Sequence, residues 1–232
     1  MTDLINIGFL VYPGVFQLDV MAAYQILSFP PNAKIHLLWK NITPIISDED
    51  LIITPTTTFD DCPQLDVICV PGGGMGQIEV MSDREILNFL RQQGTTAKYI
   101  TSVCTGSMIL AAANLLQGYK ATCHWAVREQ LAMLGVEVIP ERVVIDRNRI
   151  TGAGVTSGID FGLTLVGLIW GESMAKMAQL MMEYDPQPPF DAGTPEKAEK
   201  EVVDSLIQVG KPLIKAFLTQ TKKTAIALRI DN

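Results

Sequence analysis

Cys104 has the sequence context of a nucleophile. It lies between a strand-forming run, residues 99–103, and a helical pattern that begins near Ser107. A helix N-terminus presents unpaired backbone N–H groups and a positive dipole end, both of which favour a thiolate. Gly106 would let another backbone segment approach this strand-to-helix turn closely. The alternative is that Cys104 is a small buried apolar side chain, the commonest role of an unpaired cysteine.

A nucleophilic cysteine needs a neighbouring group that handles protons, and few residues qualify. His36 lies within a predicted strand and is expected to be structural. His124 follows a predicted strand end, where orienting a turn is the commoner role. Asp19 begins a predicted helix, so it is a candidate N-cap. Beside a thiolate, however, the pKa of its carboxyl would rise, which would suit a proton donor that later acts as a base.

A glycine-rich loop, residues 71–76, follows the predicted buried strand 66–70. Its spacing matches neither GxGxxG nor GxxxxGK[ST], so nucleotide binding has weak support. A second possibility is that its backbone N–H groups stabilise developing negative charge. The third, which the pattern favours slightly, is a simple tight turn.

Predicted strands and helices alternate along most of the chain. This alternation predicts an α/β fold with a doubly wound, mostly parallel, flavodoxin-like sheet and helices on both faces. The predicted strands are 5–11, 34–40, 66–70, 99–103 and 121–124, with hairpins at 45–46/51–53 and 143–145/149–151. The predicted helices follow Leu18 and cover 83–93, 107–116, 126–134, 156–169 and 172–182.

Ligands in such sheets bind beyond the carboxyl ends of the strands. Three candidate groups follow strand ends here: the turn that leads to Asp19, the loop 71–76, and Cys104. This convergence favours Cys104 as a nucleophile over Cys104 as a packing residue.

Length and composition predict one domain over residues 1–232, because 232 residues with 48% hydrophobic content suit a single large core. Within it, 185–195 is expected to be a proline-rich loop and 196–232 a C-terminal helical extension whose basic cluster, 211–223, lies on a solvated helix. A net charge of −7 argues against a nucleic-acid partner, which needs a clustered basic face.

Targeting and metal-binding patterns are missing from the sequence. The N-terminus lacks the basic segment and the cleavage site of a signal peptide. The apolar stretch 155–170 is shorter than the ~20 residues that a membrane-spanning helix needs. The four cysteines show neither CxxC spacing nor a ligand pattern with the two histidines. We therefore expect a cytoplasmic protein with reduced thiols, no membrane association and no bound metal.

Several segments together resemble the ThiJ/PfpI superfamily of class I glutamine-amidotransferase-like folds, and most closely its isocyanide hydratases. They are TSVCTGS at 101–107, VPGGG at 70–74, GAGVTSGID at 152–160, FLVYP at 9–13 with Leu18 and Asp19, CHWA at 123–126, and EYDPQPPFDAG at 183–193. The cysteine turn alone would mark only the superfamily. Asp19 and the proline-rich segment make the resemblance more specific, and it extends over nearly the whole chain.

The resemblance implies a homodimeric, cofactor-free hydratase that converts an isocyanide and water into an N-substituted formamide. The Cys104 thiolate would attack the terminal isocyanide carbon, and Asp19 would deliver a proton to give a thioimidate. Asp19 would then activate water, and breakdown of the adduct would release the formamide.

The resemblance also assigns supporting roles. Thr105 would hydrogen-bond within the site, backbone N–H groups of Gly72 and Gly73 would stabilise charge, and Val155 would stand beside the substrate. Thr105 occupies the position where peptidase-like and deglycase-like relatives often carry histidine. A Cys-His pair from that motif is therefore not available, which weakens a hydrolase interpretation.

Two other functions remain open at this stage. The ligand-binding halves of AraC-type regulators look similar, but residues 196–232 are too few for their DNA-binding domain. The other possibility is a redox-responsive stress protein in which Cys104 is oxidised to sulfinic acid.

Overall fold

A seven-stranded sheet forms the centre of the structure, a computed structural model that describes residues 3–230. The strands are β1 (Ile5–Leu10), β2 (Ala33–Trp39), β3 (Ile45–Ile46), β4 (Ile52–Ile53), β5 (Thr57–Thr58), β6 (Val67–Val70), β7 (Tyr99–Val103), β8 (Lys120–Ala121), β9 (Glu137–Val138), β10 (Val143–Asp146) and β11 (Arg149–Gly152). The order in the main sheet is β10-β11-β7-β6-β1-β2-β5, and only β10 runs antiparallel to its neighbour. Strands β1, β6 and β7 are almost fully buried, as expected of central parallel strands.

Helices pack against this sheet in two layers. They are α1 (Gln17–Leu27), α2 (Gly76–Val80), α3 (Arg84–Gly94), α4 (Gly106–Ala112), α5 (Arg128–Ala132), α6 (Ser157–Trp170), α7 (Glu172–Met181) and α8 (Lys200–Leu228). Helices α1, α6 and α7 pack together, while α3, α4, α5 and α8 form a second group, and both α4 and α6 contact β7. The predicted doubly wound, mostly parallel α/β fold is confirmed.

The small hairpin is confirmed as the antiparallel pair β3 and β4, but the predicted strand 121–124 is wrong beyond Ala121. Strand β8 pairs only briefly, with β9. The chain then turns toward the ends of the main sheet, where Thr122 donates its N–H to Thr151 Oγ1 and His124 donates its N–H to the Cys104 carbonyl. These bonds replace strand pairing and bring His124 to the end of β7.

The predicted solvated tail is wrong for one face of its helix. Residues 217, 220, 221, 224 and 225 of α8 are buried at helical spacing, whereas the lysines of the basic cluster remain exposed. The preceding residues 185–195 form neither helix nor strand. Residues 1, 2, 231 and 232, the ends of the predicted domain and extension, lie outside the described residues. Within 3–230, no helix is both long and apolar enough to cross a bilayer.

Candidate active site

Cys104 occupies a sharp turn between β7 and α4. Its φ of 60° lies in the left-handed region, which is costly for any residue with a Cβ. A 3.1 Å hydrogen bond from the Cys104 N–H to the Gly152 carbonyl stabilises the turn. Gly106 makes the turn possible, because a side chain there would clash with the Val70 carbonyl. The predicted close approach of backbone at Gly106 is confirmed.

Asp19 lies in the first turn of α1, and its carboxyl group faces the site. The N-cap of this helix is Phe16, so the capping role considered for Asp19 is wrong. Its Oδ2 instead accepts a 2.8 Å hydrogen bond from the Gly72 N–H. Its Oδ1 is buried and has no hydrogen-bond partner among the described residues. The Asp19 carboxyl is therefore anchored to the glycine-rich loop through Oδ2.

Burial sets the protonation of both groups. It raises the pKa of Asp19 from 3.8 to about 7, against the lowering effects of the Gly72 N–H and of the Cys104 thiol. Burial, followed by the nearby Asp19 charge, also raises the pKa of the Cys104 thiol well above its usual value. The Thr105 N–H at the start of α4 lowers that pKa, but the effect does not compensate for desolvation.

The N–H group at the helix N-terminus favours a thiolate at Cys104, as the sequence indicates, but burial has the larger effect on the pKa of the thiol. The structure also couples Cys104 to Asp19, since each shifts the pKa of the other. A carboxyl group with a pKa near 7 can take the thiol proton and return it to a reacting atom. The two side chains together hold two protons below pH 7 and one proton above it.

Thr105 takes part in a buried network centred on Gln77. The Thr105 hydroxyl donates to Gln77 Oε1 at 2.6 Å, and Gln77 Nε2 donates to the Thr105 carbonyl at 2.7 Å. The Gly73 N–H donates to Gln77 Oε1 at 2.8 Å and to Thr105 Oγ1 at 3.2 Å. Gln77 thus fixes the residue that follows the nucleophile and ties it to the glycine-rich loop.

Both loop N–H groups predicted to stabilise substrate charge already have protein acceptors. Gly72 donates to Asp19, and Gly73 donates to Gln77 and Thr105. In this arrangement the two glycines position side chains of the site. Their contact with substrate stays a prediction.

A cavity of about 260 Å³ opens onto Cys104 and Thr105. Phe16, His124 and Val155 line it on the side of the α/β domain. The opposite wall comes from α8 and consists of Leu206, Ile207, Gly210, Leu213, Ile214 and Phe217. Val155 therefore lines the cavity beside Cys104, and its contact with substrate, which the resemblance implies, stays a prediction. The contribution of α8 was not foreseen, although its apolar residues recur at helical spacing.

The two histidines differ in their relation to this cavity. His124 lines it, and its Nδ1 accepts the Ala126 N–H at 3.3 Å, which orients the turn there. Burial, and then the charge of Arg128, lowers the pKa of His124, so the ring is neutral. His36 instead bonds Thr57 at 3.0 Å and Asn6 at 3.2 Å within the sheet.

Gln77 and Tyr12 are the site residues that sequence reasoning missed. Tyr12 is fully buried, and its hydroxyl donates to the Pro71 carbonyl at 3.0 Å, which supports the glycine-rich loop. A glutamine in the helix directly after that loop was the available signal for Gln77. Among residues 3–230, no three His, Cys, Asp or Glu side chains are arranged to hold a metal ion.

Comparisons with known proteins place this geometry in a family. The model of the DJ-1/PfpI family matches residues 6–168. The isonitrile hydratase of Pseudomonas putida is 47% identical over 227 residues, which cover 97% of this chain and 99% of that protein. A crystal structure of a ThiJ/PfpI family protein from Pseudomonas syringae superimposes with a TM-score of 0.92 at 45% identity, covering 95% of this chain and 91% of that one.

A regulator also matches, over a smaller share of its length. The HTH-type transcriptional regulator GbdR of Pseudomonas aeruginosa is 30% identical over 188 residues, or 78% of this chain, and the chain spans about half of that protein. The cysteine turn, the parallel sheet and the family match over most of the sheet agree: the chain belongs to the DJ-1/PfpI family.

Proposed function

We propose that this protein is an isocyanide hydratase, an enzyme that adds water to an isocyanide to give an N-substituted formamide. Isonitrile is another name for isocyanide, so the Pseudomonas putida relative, similar along its whole length, supports this reaction. The observation that carries the proposal is the buried Asp19 carboxyl, which the Gly72 N–H holds at the strand ends where Cys104 also lies. Burial raises the pKa of this carboxyl, which suits a proton carrier.

The first step forms a covalent adduct. Asp19 takes the thiol proton, and the Cys104 sulfur attacks the terminal carbon of the isocyanide. Asp19 then returns the proton to that same carbon, which gives a neutral thioimidate. The proton count balances, because one thiol has added across the isocyanide carbon.

The second step hydrates the adduct. The Asp19 carboxylate takes a proton from water while the water oxygen bonds to the thioimidate carbon, and this proton passes to the nitrogen. The tetrahedral adduct then breaks its C–S bond. Its hydroxyl proton returns through Asp19 to Cys104, and the N-substituted formamide leaves.

The cavity supports a substrate with an apolar N-substituent. Its walls are mainly aliphatic and aromatic side chains, and Cys104 and Thr105 are among the lining residues. An isocyanide with an apolar substituent has no hydrogen-bond donor, so an apolar chamber beside a nucleophile leaves no substrate donor unsatisfied.

A redox function fits these groups less well than hydration does. Oxidation-sensing cysteines have a low pKa, whereas burial raises the pKa of the Cys104 thiol. The similarity to GbdR keeps a ligand-sensing function as the second candidate, and the measurement of turnover separates it from catalysis.

We also propose a cytoplasmic homodimer. Leu168, Met177, Leu180 and Met181, on α6 and α7, are exposed apolar side chains, and a second copy would cover them. A reducing compartment would keep Cys104 as a thiol. Light scattering of the purified protein should give a mass near twice the 25.4 kDa of one chain. A monomeric mass would contradict this assembly.

The decisive experiment is formamide production from an aryl isocyanide by the purified protein. Cys104→Ala should abolish turnover, and Asp19→Asn should reduce kcat by about a hundredfold or more. Cys62→Ala, which removes a thiol outside the cavity, should keep the parent rate. Absence of turnover by the parent protein, or full activity of Cys104→Ala, would refute the hydratase proposal.

A further inference from the structure

Helix α8 presents an apolar stripe to the cavity, and a glycine lies at the centre of that stripe. Leu206 lies four positions before Gly210. Leu213, Ile214 and Phe217 lie three, four and seven positions after it, so all five residues share one face of the helix. Glycine is among the poorest helix formers, and this one lies well inside a helix of 29 residues. A residue that weakens the helix therefore lies in the wall of the candidate site.

Close packing does not explain this glycine. A Cβ built at Gly210 would have only one neighbour within 4 Å, Ile214 Cδ1 at 3.6 Å, which is an ordinary van der Waals contact. By contrast, a Cβ at Gly106 or Gly152 would clash with neighbouring atoms. The space beside Gly210 belongs to the cavity that reaches Cys104.

We propose that Gly210 determines how large an isocyanide N-substituent the cavity accepts. This inference rests on the proposed hydratase function and adds a specificity-determining residue to it. A side chain at 210 would extend from α8 into the chamber and occupy the space of a bulky substituent. It would leave the Cys104–Asp19 pair and the space for a small substituent unchanged.

The test compares cyclohexyl isocyanide with methyl isocyanide as substrates of Gly210→Ala and Gly210→Leu. For Gly210→Leu, we expect the ratio of kcat/KM between the bulky and the small substrate to fall about tenfold or more, because overpacking a chamber is costly. Gly210→Ala should lower the ratio less. It should also raise Tm by roughly 2–4 °C, because alanine favours the helix.

Gly167→Ala is the matched control. Gly167 lies within α6, outside the cavity, and its Cβ would meet only Ala175 Cβ at 3.7 Å. This control should raise Tm in the same way and leave the substrate ratio unchanged. An unchanged ratio in a folded Gly210→Leu protein would overturn the proposal.

A second measurement does not depend on hydratase activity. The rate at which Cys104 is alkylated by N-cyclohexylmaleimide, relative to N-methylmaleimide, can be followed by peptide mass spectrometry. Gly210→Leu should lower this ratio about tenfold or more for the same steric reason. If the parent protein hydrates neither isocyanide while the alkylation ratio falls, the hydratase proposal fails and Gly210 still sets access by size. An unchanged alkylation ratio overturns the role of Gly210.

Discussion

The Gly72 N–H donates a 2.8 Å hydrogen bond to Asp19 Oδ2, and this bond connects groups that follow adjacent strands. Asp19 comes after β1 and Gly72 after β6, while Cys104 follows β7, and β7, β6 and β1 are neighbours in the sheet. The bond holds the carboxyl group in place and stabilises its charged form, which burial disfavours. The strand order thus brings the Asp19 carboxyl close to Cys104, although the two residues are far apart in the sequence.

The buried Asp19 carboxyl makes stability depend on pH, and Asp19→Asn should remove that dependence. Its pKa is about 7 in the folded protein against 3.8 for an unperturbed group, so between these values the folded state holds the extra proton. The free energy of unfolding therefore falls as pH rises through this window. From pH 5 to 8 the parent should lose roughly 2–3 kcal/mol relative to Asp19→Asn.

Urea denaturation of both proteins at pH 5 and pH 8 measures this difference. Cys104→Ala is the control: it keeps the Asp19 carboxyl and should keep most of the pH dependence, because burial is the largest cause of the shift. A stability difference between parent and Asp19→Asn that is the same at both pH values would show that the Asp19 pKa is not raised.

The rate of hydration should depend on the same proton. Below pH 7, Asp19 becomes protonated while Cys104 is still a thiol, so the pair loses its base. We expect kcat/KM to fall about tenfold per pH unit on the acid side. No decrease should appear just above pH 7, because the pKa of the Cys104 thiol is raised. Initial rates from pH 5 to 9, with the uncatalysed reaction subtracted, test this profile, and a rate that rises toward acid would contradict it.

The sequence predicted the sheet and the convergence on Cys104 because both follow from local patterns. Continuous apolar runs mark buried parallel strands, and the ends of such strands meet at one edge of a sheet. Asp19, the glycine-rich loop and Cys104 could therefore be grouped before any coordinates were known. Their identification as one site needed only the order of elements.

The other features of the site depend on contacts between residues that are far apart in the sequence, which local patterns do not predict. Gln77 makes three hydrogen bonds to two residues, Gly73 and Thr105, which lie 4 and 28 positions away in the sequence. Its place in the helix after the loop does not predict the contact with Thr105. The wall that α8 contributes depends on where a distant helix packs. The high pKa of Cys104 follows from complete burial, whereas the sequence showed only the helix N-terminus beside it.

Backbone strain at Cys104 should change the difference in stability between its alanine and glycine variants. Its φ of 60° penalises any side chain, so glycine is favoured there relative to alanine. Cys123 is also buried but is not among the positive-φ residues, so alanine keeps its normal advantage over glycine. The stability advantage of alanine over glycine should be about 1–2 kcal/mol smaller at 104 than at 123. Denaturation of the four variants measures it, and equal advantages at the two positions would rule out strain.

Gln77→Leu should impair catalysis as well as stability. Leucine cannot accept from the Gly73 N–H or hold the Thr105 hydroxyl and carbonyl, so the residue next to the nucleophile loses its support. A misplacement of about 1 Å near a reacting group costs up to about a hundredfold, so kcat should fall about tenfold to a hundredfold.

Gln93→Leu separates that positioning effect from a general loss of stability. Gln93 is a buried glutamine outside the cavity, and it accepts from the Leu65 N–H at 2.9 Å and donates to the Pro63 carbonyl at 3.3 Å. Its replacement leaves buried groups unsatisfied and should cost about 1–3 kcal/mol of stability, as at Gln77. The kcat of Gln93→Leu, measured on folded protein, should remain that of the parent. If the two variants lose kcat equally, the Gln77 network only supports the fold and does not position Thr105 for the reaction.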